Sequence, residues 1–353
     1  MKEWEKNFRQ VKPYTPGEQP KQTDVIKLNT NENPYPPAPG VLKLMKELDG
    51  TALRKYPDPE AGALVSAASR FYGLCEDQVF TGVGSDDVLG MSFLTFFNGD
   101  KPVLFPNITY SFYDVWADLY RIPFETQRLD ENLKIRKEDY FKENGGVVIA
   151  NPNAPTGEVM NLSCIEEIIQ KNQNSVVIID EAYVDFGGET ALPLISEYPN
   201  LLVVRTCSKS FSLAGLRVGF AFGDPNLISA LNRVKYSYNS YTMNTPSILL
   251  GAEAFKDRDY FEMTRKKIIA TRERSKREFR SLGFLFGDSQ TNFIFVRHPG
   301  IHAEKLFSDL KDTGIYVRHF GSPLISDYLR ITIGTDAEMD VLFDFLKHYP
   351  GIR

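Results

Sequence analysis

The chain has 353 residues, 42% of them hydrophobic and 25% charged, and a formal net charge of −5. That length suggests about two domains, and the acidic balance argues against a nucleic-acid binder, which needs a basic surface to displace counterions. The three cysteines, Cys75, Cys164 and Cys207, lie far apart and all four histidines fall at or after His298, so neither a disulfide framework nor a cysteine-rich zinc site is expected, and no histidine base or ligand exists before that point.

The first residues, MKEWEKNFRQ, are charged and lack the apolar run of a signal peptide. No stretch approaches 18 consecutive apolar residues, so no membrane partner is expected, and a reducing, cytoplasmic setting is the simplest reading. Residues 1–40, rich in Pro, Asn and Gly and ending in VIKLNTNENPYPPAPG, read as an extended N-terminal arm. The segment DPEAGALVSAASRFYG then predicts a helix with Asp58 as N-cap, Pro59 in the first turn and Gly73 at its end. From about residue 78, short apolar runs (VFTG, KPVLFP, GGVVIA, SVVIID, LLVVRT) alternate with amphipathic helical segments. That alternation predicts an α/β fold, a mainly parallel sheet flanked by helices, over residues 41–250. The charged segment RDYFEMTRKKIIATRERSKREFRSLG reads as a helix ending near Gly283. It opens a smaller α+β C-terminal domain, 251–353, with strands in TNFIFVR, IYVRHF and YLRITIG. Thr335 and Glu338 have capping-box spacing before the last helix.

Ligands of such sheets collect at the carboxyl ends of the strands, and the unusual polar residues all follow strands. Gly82-Val-Gly84-Ser85-Asp86-Asp87 suits a phosphate at a helix start, although an ordinary strand–helix turn has the same composition and Asp87 replaces the third glycine of a dinucleotide fingerprint. Lys209 sits among hydroxyls and apolar residues in RTCSKSFSLAGLR, a setting for a Schiff-base lysine, with Arg217 eight residues on as a phosphate clamp. Asp180 ends a buried strand, where a carboxylate requires a partner: an arginine, a backbone amide, or a protonated pyridine nitrogen. Tyr183 follows it, and Tyr110 is an aromatic face that stacks on a flat cofactor or packs in the core. Arg318 and Arg330, inside apolar strands, call for an anion, either a bound carboxylate or an internal acid.

These motifs together, LNTNENP, YPDP, GVGSDD, NPNAPTG, DEAYVDF, RTCSKSFSLAGLRVGF and LRITIGT in that order, resemble fold-type I pyridoxal-phosphate-dependent aminotransferases, and most closely their histidinol-phosphate branch. The resemblance covers nearly the whole chain. It implies pyridoxal 5'-phosphate as cofactor, linked to Lys209, which also moves the substrate proton. Asp180 would keep the pyridine nitrogen protonated, Tyr183 would bond the phenolic oxygen, and Tyr110 would stack on the ring. Gly84, Ser85, Asp86, Thr206, Ser208 and Arg217 would surround the phosphate. Tyr56 would reach the phosphate of a neighbouring subunit in a homodimer. Tyr14, Asn33, Arg318 and Arg330 would meet the substrates, histidinol phosphate in one half-reaction and 2-oxoglutarate or glutamate in the other. The sequence departs from the family at Ala154, where an Asn usually bonds the phenolic oxygen; Asn153 is expected to take over, with Asn151 as the alternative. Aromatic aminotransferases and threonine-phosphate decarboxylases share much of the pattern. A nucleotide-binding oxidoreductase and a non-catalytic regulator fit it less well.

Overall fold

The computed structural model describes residues 2–22 and 24–352. The arm contributes a two-residue strand, β1 (Ile26–Lys27). A seven-stranded sheet follows, built from β2 (Val79–Val83), β3 (Val103–Pro106), β4 (Phe124–Gln127), β5 (Gly146–Ala150), β6 (Val177–Asp180), β7 (Leu201–Thr206) and β8 (Val218–Gly223), in the order β2-β8-β7-β6-β5-β3-β4. Only β8 runs against its neighbours, β2 and β7. The C-terminal part carries β9 (Leu285–Phe286), β10 (Phe293–Arg297), β11 (Ile315–Tyr316), β12 (Arg318–His319) and β13 (Leu329–Thr332). Four of these form an antiparallel sheet, β12-β13-β10-β9, while β11 pairs in parallel with β1 of the arm.

The central strands are buried on both faces because helices cover both. Val147, Ile149, Val177 and Ile179 pack into one core, while Val148, Ile178, Leu202 and Val204 pack into another on the opposite face. A third core, with Phe279, Ile294, Ile331 and Leu342, lies under the smaller sheet. The five apolar runs read from the sequence all form strands. β4 and β8 were not read from it, since exposed FETQ lacks an apolar face and β8 directly follows the lysine motif. IYVRHF is divided at Val317, so that β11 serves the arm and β12 the smaller sheet.

The charged helix spans Arg258–Ser281, and the last helix starts at the reciprocal Thr335–Glu338 capping box. The earlier helix differs from expectation: it covers Gly62–Tyr72, with Ala61 at its N-cap in the left-handed region (φ 52°). The Asp58 carboxylate instead accepts from the N–H groups of Glu60 and Gly62, closing the turn that precedes the helix and leaving Pro59 outside it. Gly73 ends the helix at φ 72°, where a side chain would be strained.

Candidate active site

The carboxyl ends of the parallel strands converge on one cavity. Its lining includes Ser85 and Asp86 after β2, Tyr110 after β3, Ala150 and Ala154 at the end of β5, Asp180 at the end of β6, and Thr206, Ser208 and Lys209 after β7. Arg217, Tyr183 and two arm residues, Thr30 and Glu32, complete it.

One end is built for an anion. The helix Gly84–Phe96 starts there, and its first N–H groups carry the positive end of the helix dipole. Gly84 has φ +83°, and a Cβ on it would sit 2.5 Å from Nη2 of Arg217. A Cβ on Gly219, in β8, would lie 2.3 Å from the Gly84 carbonyl carbon, so the turn and the strand touch backbone to backbone. Thr206 and Ser208 present hydroxyls beside this turn, bonded to each other at 2.9 Å. Arg217 Nη2 lies 3.1 Å from Oδ2 of Asp86, whose other oxygen accepts from the Tyr110 hydroxyl at 2.6 Å. Asp86 therefore orients both the arginine and the aromatic ring.

The opposite end is built for a cation. Asp180 is buried, accepts from the Tyr113 hydroxyl at 2.8 Å and from the Ala182 N–H at 3.1 Å, and faces the cavity. Burial raises its carboxyl from the ordinary 3.8 to about 6, partly opposed by those hydrogen bonds. Between the two values the folded protein holds more protons than the unfolded chain, so stability falls as pH rises through that window, and the cofactor-free protein is penalised at neutral pH. A cation against the carboxylate removes the penalty. Asp180→Asn is accordingly expected to stabilise the cofactor-free protein at pH 7 by on the order of 1–3 kcal/mol, to give no gain below pH 4, and to weaken cofactor binding. Urea denaturation at the two pH values together with cofactor titration checks this; equal stability changes at both would contradict it.

Between these ends stands Lys209. Its Nζ meets the Thr30 carbonyl at 3.3 Å and lies 5.8 Å from the centre of the Tyr183 ring. The Tyr183 hydroxyl accepts from Nδ2 of Asn31 at 2.8 Å, which leaves its own proton to donate. Tyr110 is half-buried in the cavity wall, and its hydroxyl is held protonated by desolvation and by Asp86.

A second anion receptor adjoins. Arg330 lies in β13, opposite Arg318 in β12. Its guanidinium sits 5.3 and 5.6 Å from the ring centres of Phe293 and Phe320. One Nη donates to the Asn29 carbonyl at 3.0 Å, and among the described residues its buried Nε has no hydrogen-bond partner. Burial pushes its pKa down, opposed by Tyr183 and Tyr14. Arg318 donates to the carbonyls of Thr15 and Pro16, tying down the arm next to Tyr14, which stacks on Phe112 at 4.2 Å.

Four expected residues stand elsewhere. Asn153 donates to the Ile108 carbonyl and to Thr156 and accepts from Thr109, so its amide faces inward and braces the loop. Asn151 is likewise closed on both sides by the backbone of Met160. Neither lines the cavity, whereas Ala154 and Tyr183 do. Asn33 is no wall of the cavity either: its Nδ2 donates to the carbonyls of Lys209 and Ser210, and its Oδ1 accepts from Tyr35. Tyr56 is 81% exposed, stacks on Tyr241 and does not line the cavity of its own chain. Sequence reasoning missed Tyr113 and Asn31, which orient the two key side chains. Their only signals were a second tyrosine in an aromatic run and the second of three asparagines in LNTNENP.

The model of the aminotransferase class I and II family matches residues 23–346. The chain belongs to that family. The chain is 51% identical, over 98% of its length and 97% of the relative's, to a histidinol-phosphate aminotransferase of Lactococcus lactis subsp. cremoris. It is 49% identical to one of Clostridium acetobutylicum, over 98% of both. The fold superposes with a TM-score of 0.83 on histidinol-phosphate aminotransferase from Sinorhizobium meliloti in complex with pyridoxal-5'-phosphate, 26% identical, covering 91% of this chain and 89% of that one. The cavity of this aminotransferase holds an amine, a buried carboxylate suited to a cation and an anion receptor. Among the described residues no cluster of His, Cys, Asp and Glu suits a metal, and no helix is long and apolar enough to cross a membrane.

Proposed function

We propose that this aminotransferase binds pyridoxal 5'-phosphate in the cavity and transfers the amino group of L-histidinol phosphate to 2-oxoglutarate, giving imidazole-acetol phosphate and L-glutamate in histidine biosynthesis. The observation that carries this reading is the near full-length identity of about half to relatives that bear that name. The geometry fits the cofactor: an anion cradle that a Cβ would fill, and a buried carboxylate in need of a cation.

When bound, the cofactor supplies an aldehyde and an electron-withdrawing pyridinium. The protein does the rest. Gly84, Ser85, Thr206, Ser208 and Arg217 hold the phosphate. Asp180, oriented by Tyr113, holds the proton on the pyridine nitrogen. Tyr183 donates to the phenolic oxygen, and Tyr110 covers the ring. Lys209 Nζ would hold the cofactor at its aldehyde carbon and would carry a proton to and from the substrate α-carbon. Arg330, with Arg318 and Tyr14, takes the phosphate of one substrate and a carboxylate of the other, since a planar guanidinium accepts either.

The same reading divides the chain into an arm, 1–40, a large cofactor-binding domain, 41–250, and a small domain, 251–353. It makes the active form a homodimer with Tyr56 reaching the neighbouring phosphate. An exposed set of apolar side chains, Met45, Leu53, Tyr56, Tyr238 and Tyr241, supports such an interface. A cytoplasmic location suits a biosynthetic enzyme of this kind.

A paired assay tests the substrate. With 2-oxoglutarate as acceptor, kcat/KM for histidinol phosphate is expected to exceed that for phenylalanine and tyrosine by at least about tenfold. Equal or greater turnover of the aromatic amino acids would replace the proposed donor and leave the class intact.

A further inference from the structure

Beneath the lysine loop lies a buried charge cluster whose residues do not line the cavity. Arg205, in β7, directs Nε and Nη2 at Oε2 of Glu181, each at 2.9 Å, and Nη1 at Oδ1 of Asp185, at 3.3 Å. Its guanidinium also lies 4.8 Å from the centre of the Tyr72 ring. Glu181 is further held by the Thr190 hydroxyl and the Ala191 N–H. Asp185 has one oxygen left, and that oxygen accepts from the Ser210 hydroxyl at 2.5 Å.

Stability alone does not account for this cluster, because apolar residues of similar volume serve a core at least as well as a buried ion pair. What the cluster does provide is a fixed point. Ser210 is the residue after Lys209, and the carbonyls of both are gripped from the arm by Asn33, at 3.0 and 3.2 Å. The lysine backbone is thus held from two directions, by an amide on its carbonyls and by a carboxylate on the neighbouring hydroxyl. A side chain that must attach an aldehyde and then move a proton works from a fixed root, since a displacement on the order of 1 Å costs up to ~100-fold in rate.

We infer that Asp185 is a positioning residue for Lys209: anchored by Arg205, it fixes the Ser210 hydroxyl and with it the backbone from which the amine extends. The inference rests on the reading that Lys209 carries the cofactor.

The experiment compares holoenzyme carrying Ser210→Ala, Asp185→Ala or Asp185→Asn. The asparagine variant keeps an oxygen that accepts from Ser210 but loses the charge that faces Arg205. Ser210→Ala and Asp185→Ala are expected to lower kcat about tenfold with KM for the acceptor changed less than about twofold. They are also expected to shift the midpoint of the pH titration of the bound cofactor's visible absorbance by about 0.5 unit or more. Asp185→Asn is expected to restore kcat and titration to near the parent values while melting at a lower temperature. Parent-like kcat and titration in Ser210→Ala would overturn the inference, and so would an Asp185→Asn protein as slow as Asp185→Ala. The absorbance titration needs no substrate, so its result stands apart from the choice of amino donor. A cofactor band that does not depend on Lys209 would instead sink the underlying reading.

Discussion

Lys209→Ala is expected to lower turnover by roughly 10⁴-fold or more, because in the proposed mechanism it removes both the nucleophilic attachment point and the base. The cavity offers no substitute. Among the described residues, Lys209 is the only lysine that lines it, no histidine does, and the remaining cation, Arg217, is engaged with Asp86 in the anion cradle. The loss should leave the fold intact, since the Lys209 amine makes a single hydrogen bond, to the Thr30 carbonyl. The cofactor should still bind through the cradle and Asp180, but come away on denaturation, whereas borohydride treatment of the parent protein should fix it to the chain. Two measurements check this: kcat, and the visible spectrum before and after denaturing gel filtration. A Lys209→Ala protein that retains reducible, chain-linked cofactor would contradict the assignment.

The sequence made one half of this site readable and concealed the other, for a physical reason. The candidate site residues break the local pattern: Asp180 at the end of VIID's apolar run, Lys209 among hydroxyls, Arg330 inside a strand. Such breaks are visible without coordinates. The β/α alternation was equally visible, because parallel strands buried on both faces are continuous apolar runs. The residues that aim these groups obey no such rule. Tyr113 reaches Asp180 across 67 positions and Asn31 reaches Tyr183 across 152. Only the tertiary fold brings them together. Asn153 shows the opposite failure. It has the right chemistry one position from the expected one, yet adjacent residues in the NPNAPTG loop face different ways, and its amide is turned to Ile108 and Thr156. Composition could not separate it from a ligand-facing asparagine. The arm shows the same ambiguity: Asn33 supports the lysine backbone, while Thr30 and Glu32 line the cavity.

Arg330→Met is expected to lower kcat/KM for both amino donor and acceptor by roughly 100-fold, while leaving thermal stability unchanged or raised by about 1 kcal/mol. The two effects share one cause. Arg330 is half-buried, with its guanidinium against Phe293 and Phe320, and within the described residues its polar contact is one carbonyl, that of Asn29. Its Nε is unpartnered, and its near neighbour across the strand pair is another cation, Arg318. A buried charge without an acid beside it costs folding free energy. Burial, the first cause of its lowered pKa, expresses the same cost. Methionine fills similar space between two aromatic rings and brings no charge. An anionic substrate removes the cost by supplying the missing partner, so the strain in the free protein becomes affinity for a phosphate or a carboxylate alike. Loss of activity in only one half-reaction would mean that Arg330 serves a single substrate and that another cation, with Arg318 the nearest, serves the second. A clear fall in melting temperature would mean that the arginine holds the arm through Asn29 more than it waits for a ligand. Steady-state kinetics with each substrate varied in turn, beside a melting curve of the same preparation, separates these outcomes.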